Sequence, residues 1–408
     1  MGQQELIPHL FRTEYRKIVS VLSKRFGFDQ VEIAEDIASE TFLSAAQIWG
    51  MNGLPPNPVA WLYQVAKNKA KNHLQRESVF ETKIIPELKK GMSERAEPEI
   101  DLSPRNINDS QLQMMFAICN PVISAEAQIG LSLRILCGFG IEEIADAFLT
   151  SRETVSKRLT RAREKLREEK IKIDMPDAAQ IEARLENVLT TIYLLFNEGY
   201  YSLSQNQILR KDLCLEAMRL CTMLVENNST NKPQVNALLS LMCFHASRFE
   251  ARIDENGETV LYEDQDELLW NAELISRGGF YLHCAANGNQ VSKYHLEAAI
   301  AYWNTRKTNS PEKWENILNL YDLLLQKAYS PIAALHRIYA LSKINGNAVA
   351  IAEAEKLQMD DNLLYFLLLG ELYNGIDTGK ARENLQKSLE LAKTTPGKQT
   401  ILKKISCF

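Results

Sequence analysis

The sequence has no cysteine pairs, no long apolar runs and few alternating stretches. Its seven cysteines are scattered over 408 residues, at Cys119, Cys137, Cys214, Cys221, Cys243, Cys284 and Cys407. None stands in a CxxC pair and the histidines add no ligand spacing, so no metal site is expected. An odd, dispersed set reads as reduced thiols packed as small hydrophobes, the pattern of a cytoplasmic protein. His283 and Cys284 are the one adjacent His–Cys pair, and they read as helix packing. No apolar run approaches the roughly 18 residues of a bilayer span, so no membrane role is expected. The opening MGQQELIPHLFRTEY lacks the basic-then-apolar order of a secretory signal. Ile7 stands where a myristoylation motif built on Gly2 would want Ser or Thr. GxSxG, P-loop and HExxH motifs are absent, and no nucleophile, base or metal set converges. The reading is therefore not an enzyme, with no cofactor.

What is present is helix. A composition of 45% hydrophobic and 24% charged residues is that of a soluble globular protein. The length suggests two or three domains. Apolar residues recur at spacings of three and four, which predicts an all-α fold. Helices are expected over 5–26, 31–49 and 59–76, with GMNGLPPNP (50–58) as a break. Residues 78–110 carry Pro86, Pro98 and Pro104 with weak periodicity and read as a linker. Helices resume near 111–119, 124–137, 141–148 and 152–170, and Met175-Pro176-Asp177 marks a boundary. Beyond it, breaks at 227–233, 254–258, 287–290, 308–311, 345–347 and 374–379 suggest stacked helical hairpins. The expected domains are 1–77, 111–174 and 178–408, with the linker between the first two.

One stretch stands out in a chain of net charge −5. Residues 150–167, TSRETVSKRLTRAREKLR, carry Arg152, Lys157, Arg158, Arg161, Arg163, Lys165 and Arg167. On a helical wheel Val155, Leu159, Ala162 and Leu166 form one narrow stripe, which is the buried side. Thr154, Lys157, Arg158, Arg161 and Lys165 fall together elsewhere. Upstream, Ile141, Ile144, Ala145 and Phe148 mark a short amphipathic helix, and Leu149-Thr150-Ser151 a tight connection. Ser151 suits an N-cap, and Thr150 with Glu153 suits a capping box. A short helix, a tight turn and a basic helix make a helix-turn-helix, whose second helix enters the major groove. The overall acidity is no objection, because the field that matters is local. A solvated charged helix with local Glu partners is the plainer alternative.

IEEIADAFLTSRETVSKRLTRAREKLRE resembles region 4 of the extracytoplasmic-function (ECF) group of sigma-70 family sigma factors. AEDIASETFLSAAQIW and NPVAWLYQVAKNKAKNHLQRE resemble region 2 of the same family, in the expected order. The resemblance implies a factor that binds RNA polymerase core, reads the −10 and −35 promoter elements and directs transcription initiation. It places Arg152, Thr154, Lys157, Arg158, Arg161 and Arg163 on the −35 element, although Ser156-Lys157 inverts the family's commoner Lys-Ser order. It places Asn52, Lys67, Asn68, Lys71, Asn72 and Arg76 at the −10 element. The loop Met51-Asn52-Gly53-Leu54 is the candidate pocket for a flipped base. Glu32, Glu35, Asp36 and Glu40 make the 31–49 helix acidic. Asp36 and Glu40 are the candidates for docking on the coiled-coil of the largest polymerase subunit, with Phe42 nearby as an apolar contact or a core residue and the flap as a further contact region.

The C-terminal part resembles the long helical extension of one subgroup, through TTIYLLFNEGYYS, RKDLCLEAMRL, VLYEDQDELLWN and LYDLLLQKAYSPIAALHRIYAL. LLYFLLLGELYNG…ARENLQKSLELA resembles a tetratricopeptide (TPR) hairpin, one residue short before Ala381. Asn197–Tyr201 reads as a helix–helix turn ahead of a regulatory contact loop, and Asp264, Asp266 and Glu267 as solvated surface ahead of an acidic site. Such a module takes a protein or peptide partner, or packs on the sigma domains to control them. An independent helix-turn-helix regulator and a helical scaffold are the competing readings. The acidic 31–49 helix followed by the 59–76 helix speaks against the first.

Overall fold

A computed structural model describes residues 3–84, 100–201, 207–254, 260, 262–392 and 395–406. Gly2, Cys407, the linker positions 85–99, Ser202 and most of the 254–258 break lie outside the described residues. Those residues contain 18 α-helices and no strand. They divide into two compact units, Met1–Thr230 and Asn231–Phe408.

The first unit opens with α1 (Gln3–Phe26), α2 (Val31–Asn52) and α3 (Pro58–Ile84). Tyr15, Ile18, Val19 and Leu22 of α1 are buried with Val31, Ala34, Ala38, Phe42 and Ala45 of α2. α3 presents Leu62, Ala66 and Ala70, one small or branched residue per turn, and all three are fully buried. Trp49 is buried edge-on to Trp61, with ring centroids 5.3 Å apart. α2 runs through Asn52, so Met51 and Asn52 end a helix rather than start a loop. Gly53 closes α2 at φ 78°, a conformation glycine adopts freely.

Next come α4 (Pro104–Ile118), α5 (Ala125–Leu131), α6 (Ile141–Ala147) and α7 (Arg152–Glu168). α4 begins well before the expected 111. Pro104 is its first residue and Ser103 its N-cap, accepting from Asn106 N, so a proline read as a breaker is a starter. The expected helix over 124–137 is α5 plus a six-residue π-helical stretch, Ser132–Cys137, ended by left-handed Gly138. α8 (Ala178–Tyr201) and α9 (Gln207–Glu226) complete this unit. The sequence reading grouped them with the C-terminal repeat. Here α8 packs on α4 and α5, and α9 on α4 and α6. Thr191 Oγ1 donates to Gln128 Oε1 at 2.8 Å, and an Arg219 guanidinium nitrogen donates to Leu136 O at 2.7 Å. Asn197–Tyr201 is the end of α8 and not a turn. Within it Phe196 stacks on Tyr200, and Cys214 Sγ donates to Phe196 O. Burial raises the Glu198 carboxyl above its ordinary pKa.

The second unit is a run of helices, each packed on the next: α10 (Pro233–Ala246), α11 (Ala272–Ala285), α12 (Lys293–Trp303), α13 (Pro311–Lys327), α14 (Pro331–Asn345), α15 (Asn347–Glu355), α16 (Leu363–Tyr373), α17 (Thr378–Leu391) and α18 (Thr395–Ser406). α16 and α17 form the expected hairpin, with Phe366, Leu369, Tyr373 and Ala381 in one core. A Cβ on Gly370 would meet Leu385 Cγ at 2.7 Å, so only glycine lets these helices approach so closely.

Candidate nucleic-acid interface

α7 is anchored as its pattern demands. Val155, Leu159, Ala162 and Leu166 are buried, and Ser151 caps the helix by accepting from Thr154 N at 3.2 Å. α6 precedes it, with Glu143 Oε2 accepting from Gly140 N at 2.7 Å. The connection is tight: Leu149 N donates to Asp146 O and Thr150 N to Ala145 O. Leu149 sits at φ 48°, a left-handed position unusual for a branched side chain. Buried Ala145 lets the two helices meet.

The polar side of α7 forms one wall of a surface recess of about 460 Å³. Thr154, Lys157, Arg158, Arg161 and Lys165 line it opposite Val122, Ile123, Ser124 and Ala127 at the start of α5. Lys157 and Arg161 are exposed. Lys165 reaches back to Glu169 at 2.9 Å, and Arg152 pairs with Glu142 at 2.6 Å. Glu126 is held below the usual carboxylate range by its own amide and the Ser124 hydroxyl, with Arg158 adding to the effect. Four cations around one concavity, two from each half of α7, suit a phosphate backbone.

α3 offers the second surface. Asn68, Lys71, Asn72 and Arg76 are exposed and Lys67 half-buried, on the side away from Leu62, Ala66 and Ala70. Asn68 Oδ1 accepts from Gln64 at 2.9 Å. Asn52 is exposed where α2 ends, beside Met51 and Leu54, also exposed. On α2, Asp36 is exposed, and Glu40 receives Lys69 of α3 at 2.9 Å.

Two expected contact residues are placed elsewhere. Phe42 is buried against Phe11 with centroids 5.1 Å apart, and its neighbour Leu43 is exposed instead. Arg163 is buried, off the basic face, with a guanidinium nitrogen 2.8 Å from Glu35 Oε2. A residue two positions from Arg161 points a half-turn or so away, and there it meets α2. Glu35 is held from its other oxygen by Arg134 Nε, also at 2.8 Å. Arg134 was not singled out from the sequence. The signal for its partner was present: Glu35 lies on the inward stripe of α2 with Val31, Ala34 and Ala38, and a buried carboxylate needs a cation. Of the acidic trio 264–267, Asp266 caps a short turn by accepting from Leu268 N. Among the described residues no group of acidic, His and Cys side chains is arranged to hold a metal ion. No described helix is long and apolar enough to cross a membrane.

A capped helix-turn-helix with a cationic recess, joined to a helical head with its own Asn/Lys surface, defines a two-part, all-α nucleic-acid-binding protein. Comparison with known families agrees. Residues 10–79 match sigma-70 region 2, residues 105–172 match the ECF sigma factor model, and residues 184–286 match a family of unknown function, DUF6596. An uncharacterized protein of Rhizobium meliloti (strain 1021) is 33% identical over 374 residues, covering 90% of this chain and 87% of its own length. No solved structure matches the chain. The chain belongs to the ECF sigma factors, which act in transcription initiation as regulators rather than enzymes.

Proposed function

We propose that this chain binds RNA polymerase core through α2, reads a −10 element with α3 and the end of α2, and reads a −35 element with α7. The observation that carries the proposal is the cationic recess of α7, lined by Lys157, Arg158, Arg161 and Lys165 behind a buried apolar stripe. Thr154 lies at the N-terminal end of the same face, the part of a recognition helix nearest base edges. On α3, Asn68 and Asn72 suit base edges, and Lys67, Lys71 and Arg76 suit phosphates. Exposed Asp36, with Glu40 one turn on and exposed Leu43 following it, is the surface offered to a basic coiled-coil of the largest subunit. Opposite charges there would steer encounter and fix register. In this reading the protein acts in the cytoplasm, with the helical extension regulating it through a protein or peptide contact.

The test is reconstitution. Purified protein and RNA polymerase core are mixed with a pool of genomic fragments at two salt concentrations. Initiation at discrete sites only when both are present supports the reading. Salt-sensitive DNA binding without association with core would favour an independent regulator.

A further inference from the structure

We propose that the recess beside α7 also binds a nucleoside polyphosphate, with the phosphates on Lys157, Arg158 and Arg161 and the nucleoside on the facing wall of Val122, Ile123 and Ala127, and that this ligand excludes DNA from the same face. The proposal deepens the functional reading above, which gives that face to the −35 element.

Most cations of α7 already have a carboxylate. Arg152 is taken by Glu142, Arg163 by Glu35, Arg167 by Asp29 and Lys165 by Glu169. Lys157, Arg158 and Arg161 make no ion pair and no hydrogen bond among the described residues. All three line the recess. From Lys157 to Arg161 is about 6 Å of helix axis. One strand of a duplex presents a charge every 3.4 Å or so, hence about two phosphates over that length. Three unneutralised cations exceed what that stretch of backbone offers. A polyphosphate, whose phosphates share bridging oxygens, packs its charge into the same span. Two guanidinium forks and one ammonium are suited to its oxygens.

The facing wall has a different chemistry. Val122, Ile123 and Ala127 carry no charge, and Val122 is 36% exposed. Ala162 adds an apolar side chain from α7, and Ser124 and Thr154 add hydroxyls. A phosphate has no use for apolar wall, whereas the flat face of a base does. The volume of about 460 Å³ and the mixture of apolar lining with a few placed polar groups are those of a small-ligand site.

The two walls are held at a fixed spacing. A Cβ added to Gly130 of α5 would lie 3.0 Å from Leu159 Cδ2 of α7, so these helices are in close contact. Gln128 Nε2 donates to both Asn120 O and Ile123 O at 3.0 Å, which pins the segment that carries Val122 and Ile123. A recess formed before the ligand arrives loses little ordering entropy on binding. Once occupied, it leaves the three cations neutralised, and they no longer displace counterions from DNA.

Equilibrium dialysis of the full-length protein tests this with labelled ATP and GTP, and with inorganic tripolyphosphate as the probe that lacks a nucleoside. Saturable binding of one nucleotide per chain is expected, weakened about tenfold by Arg158→Ala or Arg161→Ala and less by Arg161→Lys. Tripolyphosphate should bind several-fold more weakly, and Val122→Ser should narrow that gap. Nucleotide should displace random-sequence duplex DNA in the absence of core. No saturable binding, or binding that both alanine variants leave unchanged, overturns the site. Tripolyphosphate binding as tightly as nucleotide overturns the nucleoside wall. Nucleotide and DNA bound together overturn the exclusion. Nucleotide binding as expected by a protein that fails to initiate with core removes the −35 assignment and leaves the site, whereas initiation without nucleotide binding removes the site alone.

Discussion

Arg16 of α1 and Glu216 of α9 meet at 2.5 Å with their side chains 9% and 14% exposed. This pairing, between residues at opposite ends of the first unit, joins the helical head to the extension. Removing one partner of such a pair strands the other charge in a poor solvent, which costs about 3 kcal/mol. Glu216→Ala is therefore expected to lower the urea midpoint of the first unit. Glu216→Gln, which keeps an acceptor, should lower it less. Equal midpoints for wild type and both variants would contradict this account.

The cationic recess makes a prediction about salt. Lys157 and Arg161 are exposed and line it. Each should contribute one phosphate-type contact, so alanine at either position should weaken DNA binding and reduce the salt slope by about one. Thr154→Ala should instead change which sequence is preferred, with little effect on the slope. A filter-binding series across salt and sequence separates the two behaviours.

Two glycines in helices should respond oppositely to alanine. Gly370→Ala forces a Cβ against Leu385 Cγ at 2.7 Å and near Ala381 O, and should destabilise the second unit by about 1–3 kcal/mol. Gly279, within α11, has nothing within 4 Å of an added Cβ. Gly279→Ala should stabilise by about 0.5–1 kcal/mol through backbone entropy and helix propensity. Thermal unfolding of both variants tests the close approach of α16 and α17.

The second unit should also be acid-sensitive. Burial depresses the pKa of His245 well below 6.5, with Arg248 and Arg252 adding to it, and burial likewise lowers that of His336. A histidine whose folded pKa is depressed takes up protons more readily when unfolded. Its contribution to stability is present above about pH 6.5 and is lost as pH falls below it toward the folded value. The midpoint of the second unit should drop between neutral pH and about pH 5, and His336→Gln should flatten the slope. A pH-independent midpoint would exclude neutral burial of these rings.

The turn of the helix-turn-helix holds Leu149 at φ 48° with its side chain 63% exposed. Little packing is lost on its removal, and the left-handed strain of about 1 kcal/mol disappears. Leu149→Gly should therefore be neutral to slightly stabilising in a denaturant titration, whereas Leu149→Val should destabilise.

Much of this was legible in residue order. The stripe Val155, Leu159, Ala162 and Leu166, the cap at Ser151 and the α16–α17 hairpin follow from 3.6-residue periodicity and local capping chemistry, which act over one or two turns. Pro104 shows the limit of local rules. Proline both ends helices and begins them, and Ser103 ahead of it decides which.

What the sequence determined by itself was the helical periodicity and its apolar stripes, and hence the all-α architecture and the basic face of α7. What only the tertiary structure decided was what each buried side meets. Arg163 reads as one more cation of a DNA helix until Glu35, far away in the chain, takes it. Phe42 reads as either a contact or a core residue until Phe11 covers it. α8 and α9 read as the start of a repeat until Gln128, Leu136 and Arg16 claim them for the first unit. Periodicity reports burial because the helix repeat is a local property. The choice of partner depends on charges and shapes brought together from distant segments, and no local pattern encodes that.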